Sequence, residues 1–269
     1  MKKIYFFTIG MALLFSCAKD EVTPTVTCFP TSVTLSGEGN IEFTFGDDGN
    51  GGQHVTEIAI DAGTDSSSVF TYVYDGVNIA TITQVDGDGS RFVYNATYDG
   101  NKLTSLYVYF PGTTTIGQEV RFIYSGDNVT RMEMWFAPPS TGTLFQVLDY
   151  AFEYSNGDLI KSTLRVDIEA FFAIAFDTEP GGYNPVVYNI TEYAYDAESP
   201  ANPLKGTYFL EMPDFSFMQR LPGSLTIKDA DGNVAVTETF TITKDENGNA
   251  TQAVSASGNM NLEATYVCN

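Results

Sequence analysis

YDGVNIATI, residues 74–82, is the first copy of a unit that recurs as YDGNKLTSL at residues 98–106 and as YSGDNVTRM at residues 124–132. The three copies share one register: a tyrosine, a small polar residue, a glycine, two variable residues, an aliphatic residue, two more residues and a further apolar residue. Successive copies start 24 and 26 residues apart. A period of this size indicates one supersecondary unit per copy.

Two further copies extend the repeat with less regular turns. YSNGDL begins at Tyr154, 30 residues after the third copy. YAYD, residues 193–196, begins a fifth copy whose turn is expanded by Pro200 and Pro203.

Each copy is predicted to be a β-hairpin. Asp-Gly and Asn-Gly tolerate the positive φ angles that tight hairpin turns require. The flanking residues are rich in Tyr, Phe, Val, Ile and Thr, which favour strands. Arg131 and Glu133 alternate with Met132 and Met134, so the charged and apolar side chains are expected on opposite faces. One buried and one solvated face is typical of an antiparallel meander.

The rest of the chain also predicts strands. Leu164, Val166 and Ile168 alternate with charged residues and favour a strand. The phenylalanine-rich residues 171–176 fit either a buried strand or a short helix, and no other stretch indicates a convincing helix. Further strands are expected at residues 41–45 and 55–60, which flank a glycine-rich loop at 46–52, and at residues 225–228, 234–243, 251–257 and 260–267.

These observations predict an all-β fold. We expect an antiparallel meander of hairpin repeats that forms a large twisted sheet or a partly closed barrel, with residues 28–269 in a single domain. The hydrophobic content of 43% is sufficient for a globular core.

The N-terminus predicts export and a lipid anchor. Residues 1–16 combine two lysines with an apolar core that is shorter than the about 20 residues of a spanning helix. LFSC, residues 14–17, resembles the lipobox of bacterial lipoproteins, which implies acylation of Cys17. Acyl chains on this cysteine would anchor the domain, with residues 17–27 as a lipidated tether. The alternative is an ordinary secretory signal or a short membrane anchor.

Two cysteines remain once Cys17 is acylated. Cys28 lies near the start of the strand-rich region, and Cys268 is the penultimate residue. Outside the cytoplasm a disulfide between them is permitted, and we expect it to form. The alternative is a pair of free thiols.

The hairpin units resemble the YD-like repeats of Bacteroidota surface lipoproteins and, more distantly, the YD repeats of RHS proteins. The resemblance covers roughly residues 70–210 and rests on the Tyr-Asp/Ser-Gly core. Ala18-Lys19-Asp20-Glu21 also resembles the tether that sends Bacteroidota lipoproteins to the outer face of the outer membrane. The resemblance implies an outer-membrane, cell-surface location and an architecture, but no activity.

Composition and motifs limit the partners and the reactions that the sequence predicts. The formal net charge of −21 disfavours nucleic acid as a partner. The only histidine, His54, is expected in a loop, so no Ser-His-Asp site is predicted. Asp229, Asp231 and Asn233 have the spacing that begins a calcium loop, but Phe240 stands where the bidentate glutamate should be. We therefore predict no catalytic residues, no metal site and no cofactor.

The leading hypothesis is a non-enzymatic surface lipoprotein with a binding or structural role. Its membrane contact would be the N-terminal lipid, and its partner either a glycan or an outer-membrane protein. A single tryptophan, Trp135, weakens the glycan version. The enzymatic alternative is a carboxylate-based glycoside hydrolase, which would need two facing carboxylates in a cleft.

Overall fold

The protein is a closed antiparallel β-barrel of 16 strands. It is described from a computed structural model over residues 27–36, 40–47, 53–61 and 67–268. Each strand pairs with its neighbour in sequence, and the first pairs with the last. The all-β meander is therefore confirmed, and the barrel closes completely. The strands are Cys28–Ser36 (β1), Asn40–Asp47 (β2), Gln53–Ile60 (β3), Ser68–Asp75 (β4), Asn78–Asp86 (β5), Arg91–Asp99 (β6), Lys102–Tyr109 (β7), Ile116–Ser125 (β8), Asn128–Phe136 (β9), Phe145–Ser155 (β10), Asp158–Val166 (β11), Val186–Ala194 (β12), Ser224–Lys228 (β13), Val234–Lys244 (β14), Ala250–Ser255 (β15) and Asn261–Cys268 (β16).

The glycine of each repeat forms a two-residue hairpin turn at one end of the barrel. Gly76, Gly100 and Gly126 have φ of 62°, 60° and 59°, and the residue after each is not in the positive-φ region. This arrangement matches a type II′ turn, which has glycine at its first central position. In the drifted fourth copy Asn156 and Gly157 have φ of 53° and 89°, as a type I′ turn requires.

A β-bulge after each turn explains the spacing inside the repeat. Ile79 and Ile82 are three residues apart, yet both are buried in the core. A regular strand would place them on opposite faces. The ladder between β4 and β5 skips Ala80, because Val73 pairs with Thr81 and Tyr74 with Ile79. The same skip follows Leu103, Val129 and Leu159.

The repeat tyrosines, together with Tyr266 of β16, link their hairpins to the preceding ones. Each tyrosine hydroxyl donates a hydrogen bond to a backbone carbonyl of the preceding hairpin, and in four of the six bonds the acceptor is the aliphatic residue of the preceding copy. Each such bond contributes about 1 kcal/mol net. The bonds are Tyr74 to Val55 (2.8 Å), Tyr98 to Ile79 (3.1 Å), Tyr124 to Leu103 (3.0 Å), Tyr154 to Val129 (2.8 Å), Tyr195 to Leu159 (2.7 Å) and Tyr266 to Ala250 (3.0 Å).

The barrel is closed between β1 and β16. The ladder runs from the pair of Cys28 and Cys268 to the pair of Ser36 and Asn261, with one irregularity between Pro30 and Ser32. The two cysteines form the predicted disulfide, with Cα atoms 4.0 Å apart. The first and last strands are therefore joined by both hydrogen bonds and a covalent bond, and neither is left as a free sheet edge.

The connection between β12 and β13, residues 195–223, fills part of the barrel; we call it the interior segment. Phe209 packs edge-to-face on Phe43 and Phe70, with ring centroids 5.5 and 6.0 Å apart. Phe217 packs on Phe152 of β10 at 5.1 Å. One segment thus contacts the inner faces of β2, β4 and β10. Each fully buried phenylalanine contributes about 1.5–3 kcal/mol.

Two short helices correct the expectation of an almost helix-free chain. Helix α1 (Ile168–Ala175) begins directly after β11, because the Asp167 side chain caps it by accepting a hydrogen bond from Ala170 N at 2.9 Å. Ile168 therefore starts a helix and does not extend a strand. Phe171 and Phe172 are more than half exposed, so this stretch is not buried as a strand would be. Helix α2 (Pro213–Phe217) lies in the interior segment.

Within the described ranges no helix is long and apolar enough to cross a membrane.

Candidate functional site

The two ends of the barrel differ. The repeat turns, Cys28 and Cys268 lie at one end, which we call the lower end. The turn between β15 and β16 lies at the opposite, upper end. The interior segment enters from the lower end, because it follows β12, whose last residue, Ala194, pairs with Ser224 at the start of β13.

A cavity of about 680 Å³ lies in the upper part of the barrel, beside the interior segment. Its size falls within the range of about 300–1,000 Å³ that is typical of small-molecule sites. The wall of β1–β3 and β13–β16 contributes mainly aliphatic side chains, and helix α2 closes the opposite side. The apolar wall residues are Leu35, Ile41, Ile60, Leu225, Ile227, Val236, Phe240, Ala253 and Leu262.

Asp214, on α2, places a carboxylate against this cavity. One of its oxygens, Oδ2, accepts hydrogen bonds from the hydroxyls of Tyr193 and of Ser162, the latter at 2.8 Å. The other oxygen, Oδ1, is buried and has no hydrogen-bond partner within the described part of the chain. Burial raises the pKa of Asp214, while the two hydroxyl donors act in the opposite direction. The carboxylate is thus oriented through one oxygen and unsatisfied at the other.

Two more carboxylates line the cavity. Glu211 precedes α2, and burial together with the nearby charge of Asp86 raises its pKa. Glu238 of β14 faces inward opposite Leu225 and accepts a hydrogen bond from Ser257 N at 3.3 Å. Burial, with the charges of Asp214 and Glu211, also raises the pKa of Tyr150, another lining residue, to about 12. The charged side chains among the described lining residues are therefore all acidic.

The outward faces of β14 and β16 have the opposite character. On β14, Thr237, Thr239, Thr241 and Thr243 are exposed and alternate with partly buried inward residues. On β16, Glu263 and Thr265 are exposed, while the alternate residues Leu262 and Ala264 are buried. Transmembrane barrels instead carry an apolar outer band about 25 Å tall around a polar interior. On β14 and β16 the apolar side chains therefore face the interior and the polar ones face outward, which is the reverse of a transmembrane barrel.

Charged side chains of β8–β11 continue this polar wall. Arg131 and Glu133 face outward as predicted, with Nε and Oε1 3.2 Å apart. Arg131 and Arg165 both reach the fully buried Asp149, at 3.2 and 2.9 Å. The expected separation of charged and apolar faces is thus confirmed on these strands.

The position of His54 differs from the expectation that this residue lies in a loop. It lies in β3 and not in a loop, because β2 and β3 extend to the pairs of Gly46 with His54 and of Asp47 with Gln53. Its ring stacks on Tyr74 at 3.7 Å, beside a second cavity of about 410 Å³ at the lower end.

The acidic turn after β13 is held by its own residues. Asp229 accepts hydrogen bonds from the backbone of Asp231 and from both the backbone and the side chain of Asn233, which lowers its pKa. The turn at Asp245 has the same arrangement. No group of three or more His, Cys, Asp or Glu side chains within the described ranges is placed to hold a metal ion. The signal-like residues 1–16, Cys17 and residues 18–26 of the tether lie outside the described residues.

The cavity residues were not singled out from the sequence. Glu211 and Asp214 lie in a long connection without periodicity, among many acidic residues. The signal that could have directed attention to them is the expanded fifth turn, since long connections within a compact fold are often functional.

No family model and no curated protein matches the chain. Solved structures do. A porin-like protein from Bacteroides vulgatus ATCC 8482 is similar with a TM-score of 0.56 and 13% identity, over 90% of this chain and 99% of that one. A porin-like protein from Bacteroides uniformis ATCC 8492 is similar with a TM-score of 0.50 and 13% identity, over 88% of this chain and 98% of that one. At this identity the likeness shows a shared fold.

Proposed function

We propose that this chain is an outer-membrane lipoprotein, exposed at the cell surface, whose barrel binds a small apolar molecule and is not an enzyme. The observation that carries the proposal is an apolar cavity of about 680 Å³ whose wall includes β14 and β16, two strands with polar outward faces. Such a wall suits a barrel surrounded by water, and the interior segment occupies the space that a channel would need.

The anchor in this proposal is the lipid on Cys17. The support is the signal-like residues 1–16, the lipobox-like residues 14–17 and the resemblance of the repeats to those of Bacteroidota surface lipoproteins. The porin-like neighbours are consistent with an outer-membrane setting. Lipid attachment would hold the barrel at the membrane without requiring it to enter the bilayer.

The lining favours an apolar ligand over a glycan. Sugar sites need many hydrogen-bonding groups, whereas the exposed surface of this lining is mainly apolar. An outer-membrane protein that docks on the outer wall would not compete with a ligand in the cavity.

One observation keeps the glycoside hydrolase as a second candidate. Glu211 and Asp214 line one cavity and both have raised pKa values, as a general acid requires. The binding function is better supported, because Asp214 Oδ2 is already engaged by two hydroxyls.

Titration with N-phenyl-1-naphthylamine, a neutral apolar fluorophore, tests the binding function. We expect saturable binding of one probe per chain. Ala253→Trp should reduce affinity at least tenfold, because Ala253 is buried and lines the cavity. Gln252→Trp, which places the same ring on the outward face of the same strand, is the control and should bind like the wild type. Absence of saturable binding, or equal binding by both variants, would contradict the proposal.

A further inference from the structure

The cavity is acidic without a compensating base. Its lining contains Glu211, Asp214 and Glu238, and no Lys, Arg or His among the described lining residues. Asp86 adds a fourth carboxylate close to Glu211. Carboxylates of one sign along a low-dielectric wall attract cations and repel anions.

Two buried oxygens of lining residues lack a hydrogen-bond partner within the described part of the chain, Asp214 Oδ1 and Asn261 Oδ1, and only Asp214 Oδ1 belongs to a carboxylate. A buried polar atom without a hydrogen bond destabilises the fold, and a charged one does so more strongly. Buried carboxylates are therefore normally paired with a donor or a cation. Within the described residues nothing supplies one to Oδ1, although Tyr193 and Ser162 satisfy the other oxygen.

The fixed orientation of this carboxylate distinguishes it from a surface acid. Tyr193 is buried on β12, Ser162 is buried on β11, and Pro213, the neighbour of Asp214, is buried at the start of α2. Three separate elements thus hold the group, so its free oxygen has a defined position.

Resting on the proposed binding function, we propose that the ligand is a small apolar molecule with a protonated amine, and that the amine binds Asp214 Oδ1. The aliphatic wall contacts the apolar body. The ammonium group donates to Oδ1 in a charge-assisted hydrogen bond, the stronger kind. Glu211 and Glu238 add to the attraction without contacting the amine.

A pair of probes of the same shape tests this inference. We would measure calorimetrically, at pH 7.5 with the oxidised chain, the binding of 2-(1-naphthyl)ethylamine and of 2-(1-naphthyl)ethanol. The amine should bind at least tenfold more tightly. Asp214→Asn should reduce amine affinity at least tenfold and change alcohol affinity less than twofold. Glu42→Gln, which removes an exposed carboxylate from the outer face of β2, is the control and should change neither affinity.

The outcomes separate this inference from the function on which it rests. If both probes bind equally, or the alcohol binds more tightly, the amine preference is wrong while the binding function stands. If neither probe binds, both are wrong. The comparison of the two probes on the wild-type chain decides the inference even if the Asp214 variant does not fold.

Discussion

At the residue scale, the repeat tyrosine is the most informative side chain. It faces inward, fills the lower end of the barrel and donates its hydroxyl to the neighbouring hairpin. Burial raises the pKa of Tyr154, so the hydroxyl stays protonated and remains a donor over the physiological pH range.

Removing one of these hydroxyls should destabilise the barrel measurably. Tyr154→Phe leaves the Val129 carbonyl without the donor that now lies 2.8 Å away. We expect a loss of about 1 kcal/mol in the free energy of unfolding, measured by urea denaturation. Tyr188→Phe, at a residue that is 64% exposed, is the control. Equal stability of the two variants would show that the hydroxyl bond contributes nothing.

Asp214 should make stability depend on pH in a definite direction. Its pKa is raised in the folded state, so the folded chain holds this proton more tightly than the unfolded chain, in which it is lost near pH 3.9. The ionised group therefore destabilises the fold above its folded pKa, and this effect disappears as the pH falls.

Asp214→Asn should accordingly be more stable than the wild type at pH 7, because it removes a buried charge. Its amide oxygen can still accept from Tyr193 and Ser162. The difference in free energy of unfolding should shrink towards zero at pH 3, as measured by denaturation of both chains at the two pH values. A variant that is equally destabilised at both pH values would contradict the raised pKa.

At the scale of elements, the sequence predicts individual hairpins well. The observed strands β13, β14, β15 and β16 begin within one residue of the predicted positions, because acidic, Asn-Gly and Gly-Asn turns separate them. Helix α1 was harder to predict, since Phe171 and Phe172 suit either a strand or a helix and the Asp167 cap decides between them.

Bulges and closure depend on contacts that local patterns do not encode. The spacing of Ile79 and Ile82 gives no period-2 signal, because the skipped residue Ala80 changes the face. The course of the interior segment follows from tertiary packing of Phe209 and Phe217 on distant strands. The cavity beside that segment, and with it Asp214, was therefore beyond sequence reasoning.

The disulfide should contribute strongly to the closure of β1 against β16. It links residues 240 apart in sequence, for which the chain-entropy model gives on the order of 5 kcal/mol. The double variant Cys28→Ser, Cys268→Ser should be destabilised by up to that amount, measured against the oxidised chain by chemical denaturation. Thiol labelling of the denatured, unreduced chain should leave both cysteines unlabelled. Labelling of two thiols would contradict the bond.

At the scale of the whole molecule, the proposed lipid anchor on Cys17 can be tested separately from the barrel. Cys17→Ala should prevent acylation and release the protein from the outer membrane, which fractionation of cells would detect. Ser16→Ala, which keeps the cysteine, is the control and should stay membrane-bound. A Cys17 variant that still fractionates entirely with the outer membrane would refute the lipid anchor.

In the proposed function the barrel contains an apolar cavity, has polar outward faces on β14 and β16, and is surrounded by water. Phase separation in Triton X-114 of the oxidised chain from Ala18 onward, which carries no lipid, measures the character of the wall directly. Because the outer faces of β14 and β16 are polar, we predict that the folded chain enters the aqueous phase. Recovery of folded barrel in the detergent phase would contradict the account, since it would mean that the outer wall faces lipid.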